Sequence, residues 1–259
     1  MNQFSAVIVT FNNERTVKKC LESVIKFEPE AEIIVIDNSS SDLTVKIVQS
    51  FKGRVILIES DKNLGFARAN NIGVQKASKE SVIILNPDTE ILNSGALQQL
   101  VDVLFENPEF GIIGPKLIHA DGNIQKSVRN LPNSYRAFKE YFLGIKNEYD
   151  FYIPETQILC EVESIVGACI AIKKELFERV RGFDEKYFLY FEDLDLCKKV
   201  RKMGFKIGYN PSVEVKHYEG VSGLNQKTFS LLQESAKKYH GLLAYSLIQL
   251  IIRLGGLIR

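Results

Sequence analysis

Short apolar runs closed by Asn, Asp, Gly or Pro alternate, through the first half of the chain, with stretches whose apolar residues return every three or four positions. Residues 5–9, 32–36, 55–59 and 82–85 read as strands, and residues 15–26, 43–51, 66–77 and 96–106 as helices. The strands lack polar alternation, as expected where both faces of a parallel sheet are covered by the connecting helices. After residue 110 the rhythm breaks. Apolar runs at 111–118 and 166–172 flank a polar, aromatic-rich stretch, 121–163, suited to substrate-facing loops. Residues 184–191 lead into a helix at 192–203, where Leu196, Cys197, Val200 and Met203 recur at helical spacing, and a strand at 206–209 follows. The pattern predicts one α/β domain with a C-terminal tail.

Residues 242–258 are mostly Leu, Ile, Ala and Gly, interrupted chiefly by Gln249 and Arg253. A run of roughly 17 residues is marginal for crossing a hydrocarbon core of about 30 Å. It reads either as a helix docked on the domain or as an interfacial helix on a membrane surface, helped by Lys237, Lys238, Arg253 and Arg259. Composition mainly excludes. The 33 basic and 32 acidic side chains leave no field to hold a polyanion, and no arginine-rich run appears, so nucleic acid is not an expected partner. Cys20, Cys160, Cys169 and Cys197 form no CxxC pair and the amino terminus carries no secretory pattern, so a cytoplasmic setting is expected.

Candidate chemistry gathers where strands end. The first strand runs into Thr10-Phe11-Asn12-Asn13-Glu14 and the second into Asp37-Asn38-Ser39-Ser40, placing polar tips side by side at one sheet edge, where open α/β sheets bind ligands. A nucleoside fits there, with Asp37 accepting from base or ribose; the structural alternative is that these are caps and Asx-turns. In the segment Asn63-Leu64-Gly65-Phe66-Ala67-Arg68, Arg68 falls in the first turn of a helix, where the macrodipole disfavours a cation. A bound diphosphate would remove that conflict. Asn86-Pro87-Asp88 closes the strand at 82–85, so Asp88 is a candidate ligand for Mg²⁺ or Mn²⁺, with Asn86 and His217 as further donors. Glu192, Asp193 and Asp195 crowd the opening turn of a helix approached through Tyr187-Phe188-Leu189-Tyr190-Phe191. Acids stabilise a helix start in any case, but the aromatic approach excludes water, the setting for a general base.

These segments, together with Val7-Ile8-Val9-Thr10-Phe11-Asn12, Gly182-Phe183-Asp184-Glu185 and Glu192-Asp193-Leu194-Asp195-Leu196-Cys197, resemble the family 2 glycosyltransferases of GT-A fold, over residues 5–225. Within that family the chain most resembles bacterial rhamnosyltransferases of surface-polysaccharide assembly, on Asn86-Pro87-Asp88 and the segment from His217 to Ser222. The resemblance implies a Rossmann-like, mostly parallel mixed sheet flanked by helices. A GT-A domain would span 1–225, with a nucleotide-binding half at 1–119 and an acceptor half at 120–225, before a helical tail at 226–259.

It implies an inverting transfer of a hexose, L-rhamnose, from dTDP-rhamnose or a UDP-sugar to a lipid-linked saccharide. Thr10, Phe11, Asn12, Glu14, Asp37, Asn38, Asn63, Gly65, Arg68 and Asn86 would bind nucleotide, and Asp88 and His217 the divalent metal. Asp193, with Glu192 beside it, would be the base, and Asp195, Tyr190 and Ser222 would face acceptor or diphosphate. The family commonly has Asp-x-Asp where this chain has Asn86-Pro87-Asp88, so one metal carboxylate is missing. A nucleotidyltransferase would show a glycine-rich basic loop after the first strand, and residues 10–14 hold neither glycine nor lysine. A non-catalytic nucleotide-sugar or glycan-binding module is the remaining alternative.

Overall fold

The computed structural model describes residues 3–218 and 226–257. β1 (Phe4–Thr10), α1 (Val17–Phe27), β2 (Glu32–Asp37), α2 (Thr44–Gln49), β3 (Val55–Glu59), α3 (Phe66–Lys76) and β4 (Ser81–Leu85) wind in the predicted order. Then come β5 (Thr89–Ile91), α4 (Ala96–Glu106), β6 (Phe110–Ile118), β7 (Val128–Arg129), α5 (Ser134–Leu143), β8 (Cys160–Val162) and β9 (Ser164–Ile165). β10 (Cys169–Lys173), α6 (Lys174–Arg179), α7 (Glu192–Lys202), β11 (Lys206–His217), α8 (Gln226–His240) and α9 (Leu242–Gly255) follow.

The strands order as β3-β2-β1-β4-β10-β6-β11-β5, with β8 paired to β11 and a separate β7–β9 ribbon. β1 is parallel to β2 and β4, whereas β10 runs antiparallel to both β4 and β6. The sheet is therefore mixed and mostly parallel, as expected. Alternate residues of β1 enter two cores. Phe4, Ala6 and Ile8 meet Val17, Leu21 and Val24 of α1, while Val7 and Val9 meet Ala67 and Val74 of α3 and, further along that layer, Leu196 and Val200 of α7. Burial on both faces is the physical reason these strands read as uninterrupted apolar runs.

Two features were not legible, and a third, the docked tail helix, was one of the two readings its sequence offered. The stretch 121–163 contains α5, capped by the Asn133 side chain, which accepts from Arg136 N–H at 2.9 Å, and stopped by Gly144 at φ 68°. The strand expected at 206–209 continues to His217, through an irregularity between Asn210 and Glu214. The tail is two helices, and α9 docks on α5 through Ile248, Ile251 and Ile252 against Ala137 and Tyr141. Among the described residues no helix is long and apolar enough to cross a membrane.

Gly73 lies where α3 crosses β1, and a Cβ there would run into Val7 Cγ1 with Ile36 Cγ1 at 3.3 Å. Gly73→Ala is expected to cost about 1–3 kcal/mol through overpacking. A thermal melt checks it, and an unchanged midpoint would mean that this crossing is not tightly packed.

Candidate active site

β1 and β2 end in register, Thr10 beside Asp37. Asp37 is 1% exposed, and its carboxylate is already engaged: Oδ1 accepts from Thr10 Oγ1 at 2.8 Å and Ser40 Oγ at 2.6 Å, and Oδ2 from Ser40 N–H at 2.8 Å. A carboxylate has about four acceptor positions, so room for one more donor remains on Oδ2. Asn12, at φ 56°, donates its N–H to Ser40 Oγ and accepts from Ser41 N–H, and Glu14 accepts from Leu43 N–H at 3.0 Å. Asn38 is buried and joins Gly65 C=O and Leu64 N–H, while Asn63 Oδ1 accepts from Gly65 N–H. Turn-forming and capping therefore account for much of this side-chain polarity. Phe11 remains exposed beside it.

Arg68 sits in the first turn of α3, as the spacing predicted, and the structure supplies it with an anion: Glu185 Oε2 at 3.8 Å. Both partners are half exposed, so the pair contributes little, about 0–1 kcal/mol. Asn71 fixes the segment bearing Glu185, accepting from Phe183 N–H at 2.9 Å and donating to Phe183 C=O at 2.9 Å. Phe66 N–H donates to Phe188 C=O at 2.8 Å, which brings the aromatic run onto the start of α3. Gly65, at φ 81°, permits that approach, because a Cβ there would stand 2.5 Å from Phe188 O.

At the end of β4, Asp88 meets His217 from β11, Oδ1 to Nε2 3.3 Å, with both side chains largely buried. His217 Nδ1 lies 2.9 Å from Gln125 Oε1. An amide oxygen only accepts, so His217 offers its Nδ1–H to Gln125 and faces Asp88 with Nε2. Asn86 Oδ1 is buried without a protein partner. A carboxylate, an imidazole nitrogen and an orphaned amide oxygen suit a hard divalent ion completed by phosphate or water. Among the described residues no cluster of three or more His, Cys, Asp or Glu forms a metal cage by itself. Gln125 was not singled out from sequence, since it lies in the stretch read as loop.

Asp193 opens α7, half-buried, accepting from Gly167 N–H at 3.0 Å (Oδ2) and Leu194 N–H at 2.8 Å (Oδ1). Ala168, the next residue, accepts from Asn86 N–H at 2.9 Å. Two consecutive residues ahead of β10 thus tie the base candidate to the Asn86-Pro87-Asp88 turn. Burial raises the Asp193 pKa above the ordinary carboxylate value, and the two N–H bonds hold back that rise. Glu192 is 5% exposed with Oε2 unpartnered, and burial plus the adjacent Asp193 charge push it well above its ordinary value. Asp195 pairs with Lys199 at 3.3 Å. Tyr190 and Phe191 both adopt positive φ, 71° and 69°, a strained pair leading into the acidic turn. Ser222 lies outside the described residues.

Because Glu192 binds its proton more tightly folded than unfolded, its cost is absent below its unfolded pKa near 4.3 and grows as pH rises toward the folded value. Each tenfold of proton affinity is worth about 1.4 kcal/mol, or roughly 2–4 °C for a chain of this size. Glu192→Gln should therefore gain stability over the wild type between pH 5 and 8 and lose that advantage near pH 4. A difference in Tm that does not change with pH would contradict this.

The sequence profile of Glycosyl transferase family 2 matches residues 5–181, more than half of the chain, and that of the N-terminal domain of galactosyltransferase matches residues 148–222. The chain is 27% identical over 234 residues to the N-acetylglucosaminyl-diphospho-decaprenol L-rhamnosyltransferase of Mycobacterium tuberculosis, covering 83% of this chain and 76% of that relative. It is 29% identical over 221 residues to the rhamnosyltransferase WbbL of Escherichia coli, covering 82% of each. The crystal structure of GalNAc-T7 with UDP, GalNAc and Mn²⁺ superposes with TM-score 0.66 at 21% identity, over 83% of this chain and 43% of that one. TarS of S. aureus (residues 1–349) superposes with TM-score 0.58 at 17% identity, over 96% of this chain and 69% of that one. The chain thus belongs to glycosyltransferase family 2, with the GT-A fold of a nucleotide-sugar-dependent glycosyltransferase.

Proposed function

We propose that the chain transfers L-rhamnose, with inversion, from dTDP-rhamnose or a UDP-sugar to a lipid-linked saccharide in cell-surface polysaccharide synthesis, at the inner face of the plasma membrane. The observation that carries this reading is the Gly167–Ala168 tie: one residue holds the Asp193 carboxylate and the next holds the turn bearing Asp88. The names of the two rhamnosyltransferase relatives support the sugar, and the first of them supports a lipid diphosphate acceptor. Residues 1–119 take the donor, residues 120–225 the acceptor, and the tail at 226–259 adds membrane contact.

Asp37 takes a base N–H on its free acceptor position, with Thr10, Phe11, Asn12, Glu14, Asn38, Asn63 and Gly65 shaping the nucleotide site. Arg68 exchanges Glu185 for the diphosphate. Asp88 and His217, with Asn86, hold Mg²⁺ or Mn²⁺, and Gln125 sets the His217 tautomer. The cation, when bound, neutralises charge on the leaving diphosphate. Asp193 takes the proton of the acceptor hydroxyl as its oxygen bonds to the anomeric carbon opposite the departing diphosphate. Glu192 holds its proton more tightly than an ordinary glutamate, because it is buried and sits beside the Asp193 charge, and that favours ionisation at Asp193. Tyr190 walls the acceptor side, and Asp195 and Ser222 flank it. Since Asp193 must be ionised, activity falls on acidification at a higher pH than an ordinary aspartate would set.

Asp193→Asn should lower kcat by about 10²–10⁴ while nucleoside diphosphate affinity changes less than threefold. Asp88→Ala should lose both transfer and affinity. An active Asp193→Asn enzyme would remove this residue as base. Gln125→Leu should weaken Mn²⁺ binding about 10–100-fold, read from water-proton relaxation without turnover; equal affinity would sever Gln125 from the metal site.

A further inference from the structure

The segment that ends in β7 runs between the metal and base candidates. The Gln125 side chain meets His217 Nδ1 at 2.9 Å, the Ser127 carbonyl accepts from Val166 N–H at 2.9 Å, and Arg129 pairs with Ser164 in the β7–β9 ribbon. β9 packs on α7 and leads through Val166 into Gly167, whose N–H holds the Asp193 carboxylate. The half-buried Arg129 guanidinium is fixed rather than free. Its Nε–H donates to Tyr149 C=O at 2.7 Å, and Cζ stands 4.6 Å from the Tyr149 ring centre and 5.1 Å from that of Phe151. Tyr149 is pinned in turn: its N–H donates at 2.6 Å to Glu140 Oε2, which also accepts from Glu148 and Asp150 N–H. A guanidinium on two rings, with one N–H spent on a carbonyl, loses all three contacts if it swings out to solvent.

No carboxylate among the described residues forms a direct ion pair with Arg129, so its charge acts at longer range. It reaches Asp193, Tyr239 and His240. Tyr239 and His240 close on the Phe191 ring at 5.2 and 5.8 Å, two residues ahead of Asp193, so the three groups gather round the start of α7. Burial raises the Asp193 pKa, and the Gly167 and Leu194 N–H bonds, then the Arg129 charge, hold that rise back. The neighbours do not share this work. Glu192 precedes Asp193 and repels it, and burial keeps the Cys197 thiol, one turn on, uncharged. Lys198 turns to the Tyr239 ring and Lys199 to Asp195. From α8, Tyr239 and His240 are held uncharged at neutral pH, chiefly by burial. β9 contributes only Ser164 and Ile165, and β6 and β11 meet α7 through apolar residues such as Ile112 and Ile207. An arginine, moreover, keeps its charge at every working pH.

We propose that Arg129 is a positioning residue for the transfer: its guanidinium, locked on Tyr149 and Phe151, is the fixed countercharge that holds the buried Asp193 carboxylate in its ionised form. The inference deepens the function proposed above and rests on its assignment of Asp193 as base. Two backbone N–H groups replace only part of the solvent that a buried carboxylate loses. A cation held beyond contact distance adds to them without occupying the lone pair that must receive the acceptor proton, which a direct salt bridge would do. A mere latch for residues 149–151 would need the hydrogen bond and the stacking, but not the charge.

An NMR pH titration of the full chain with isotope-labelled aspartate carboxyl carbons, the Asp193 signal being assigned by its loss in Asp193→Asn, tests this. Arg129→Gln should make Asp193 bind its proton about 3–10-fold more tightly, and the acid limb of the kcat/KM profile should move to higher pH by the same factor. Arg129→Lys, which keeps the charge, should stay nearer the wild type in both. In the wild type itself the Arg129 Nε resonance should titrate with the Asp193 midpoint and cease to do so in Asp193→Asn, a readout that survives even if Arg129→Gln does not fold. An Asp193 midpoint unchanged in an Arg129→Gln protein of wild-type melting temperature would overturn the proposal. So would equal displacement in the Lys and Gln variants, or an Arg129 resonance indifferent to Asp193. Failure of the base assignment reads differently: the Asp193 midpoint follows Arg129 while the kcat/KM limb stays put, which leaves the coupling standing and removes Asp193 as base.

Discussion

A carboxylate withdrawn from water keeps its charge only where donors replace the lost solvent, and Asp193 depends on two backbone N–H groups for that. One belongs to its own helix start. The other, from Gly167, arrives on the approach to β10, the strand inserted antiparallel between β4 and β6. That reversed insertion is the constraint from which the site follows. It brings Gly167 under the opening turn of α7 and turns the Ala168 carbonyl toward Asn86, so the acid and the Asn86-Pro87-Asp88 turn are positioned by neighbouring peptide units. Backbone placement of this kind is stiffer than any contact between long side chains, because it moves only if the sheet moves.

The aromatic approach to α7 is costly in itself. Tyr190 and Phe191 stand consecutively at positive φ, a region unfavourable for bulky residues by roughly 1–3 kcal/mol each. The tail helps to offset it. Ser235 donates to Leu189 C=O at 2.8 Å, Lys238 to Lys186 C=O at 2.8 Å, and the Phe191 ring meets Tyr239 at 5.2 Å and His240 at 5.8 Å. From the other side Phe66 N–H grips Phe188 C=O. α8 is therefore part of the support for the acidic turn, and losing it would release a segment the chain does not hold by local preference.

The first half was legible because its physics is local: apolar strands buried on both faces and polar turns at their ends are written in consecutive residues. The pairing of Asp88 with His217, about 130 positions away, was reached through family resemblance and is met by a 3.3 Å contact. Gln125 was missed because its partner, His217, is equally remote in sequence, and α5 was missed for another reason. α5 buries little of its apolar surface in the main core, so Phe138 and Phe142 read as loop aromatics, although Asn133 and Gly144 were its start and stop signals. Neither β10's direction nor the Gly167 contact can be read from local pattern, since an apolar strand looks the same in either orientation.

Arg68 shows how the donor side and the aromatic side are joined. A cation in the first turn of a helix opposes the macrodipole, and here the conflict is relieved by Glu185, an exposed partner at 3.8 Å. Such a pair is worth about 0–1 kcal/mol, whereas hydrogen bonds to a charged group contribute about 1.5–3 kcal/mol each. Under the proposed function the guanidinium therefore gains by leaving the carboxylate for a diphosphate. Glu185 is not set adrift by the exchange, because Asn71 Nδ2 holds its Oε1 at 3.2 Å while the same amide clamps Phe183. The segment that leads to Tyr187 and the base thus keeps its place as the charge on Arg68 changes partner, and the weakness of the resting pair is what makes that exchange cheap.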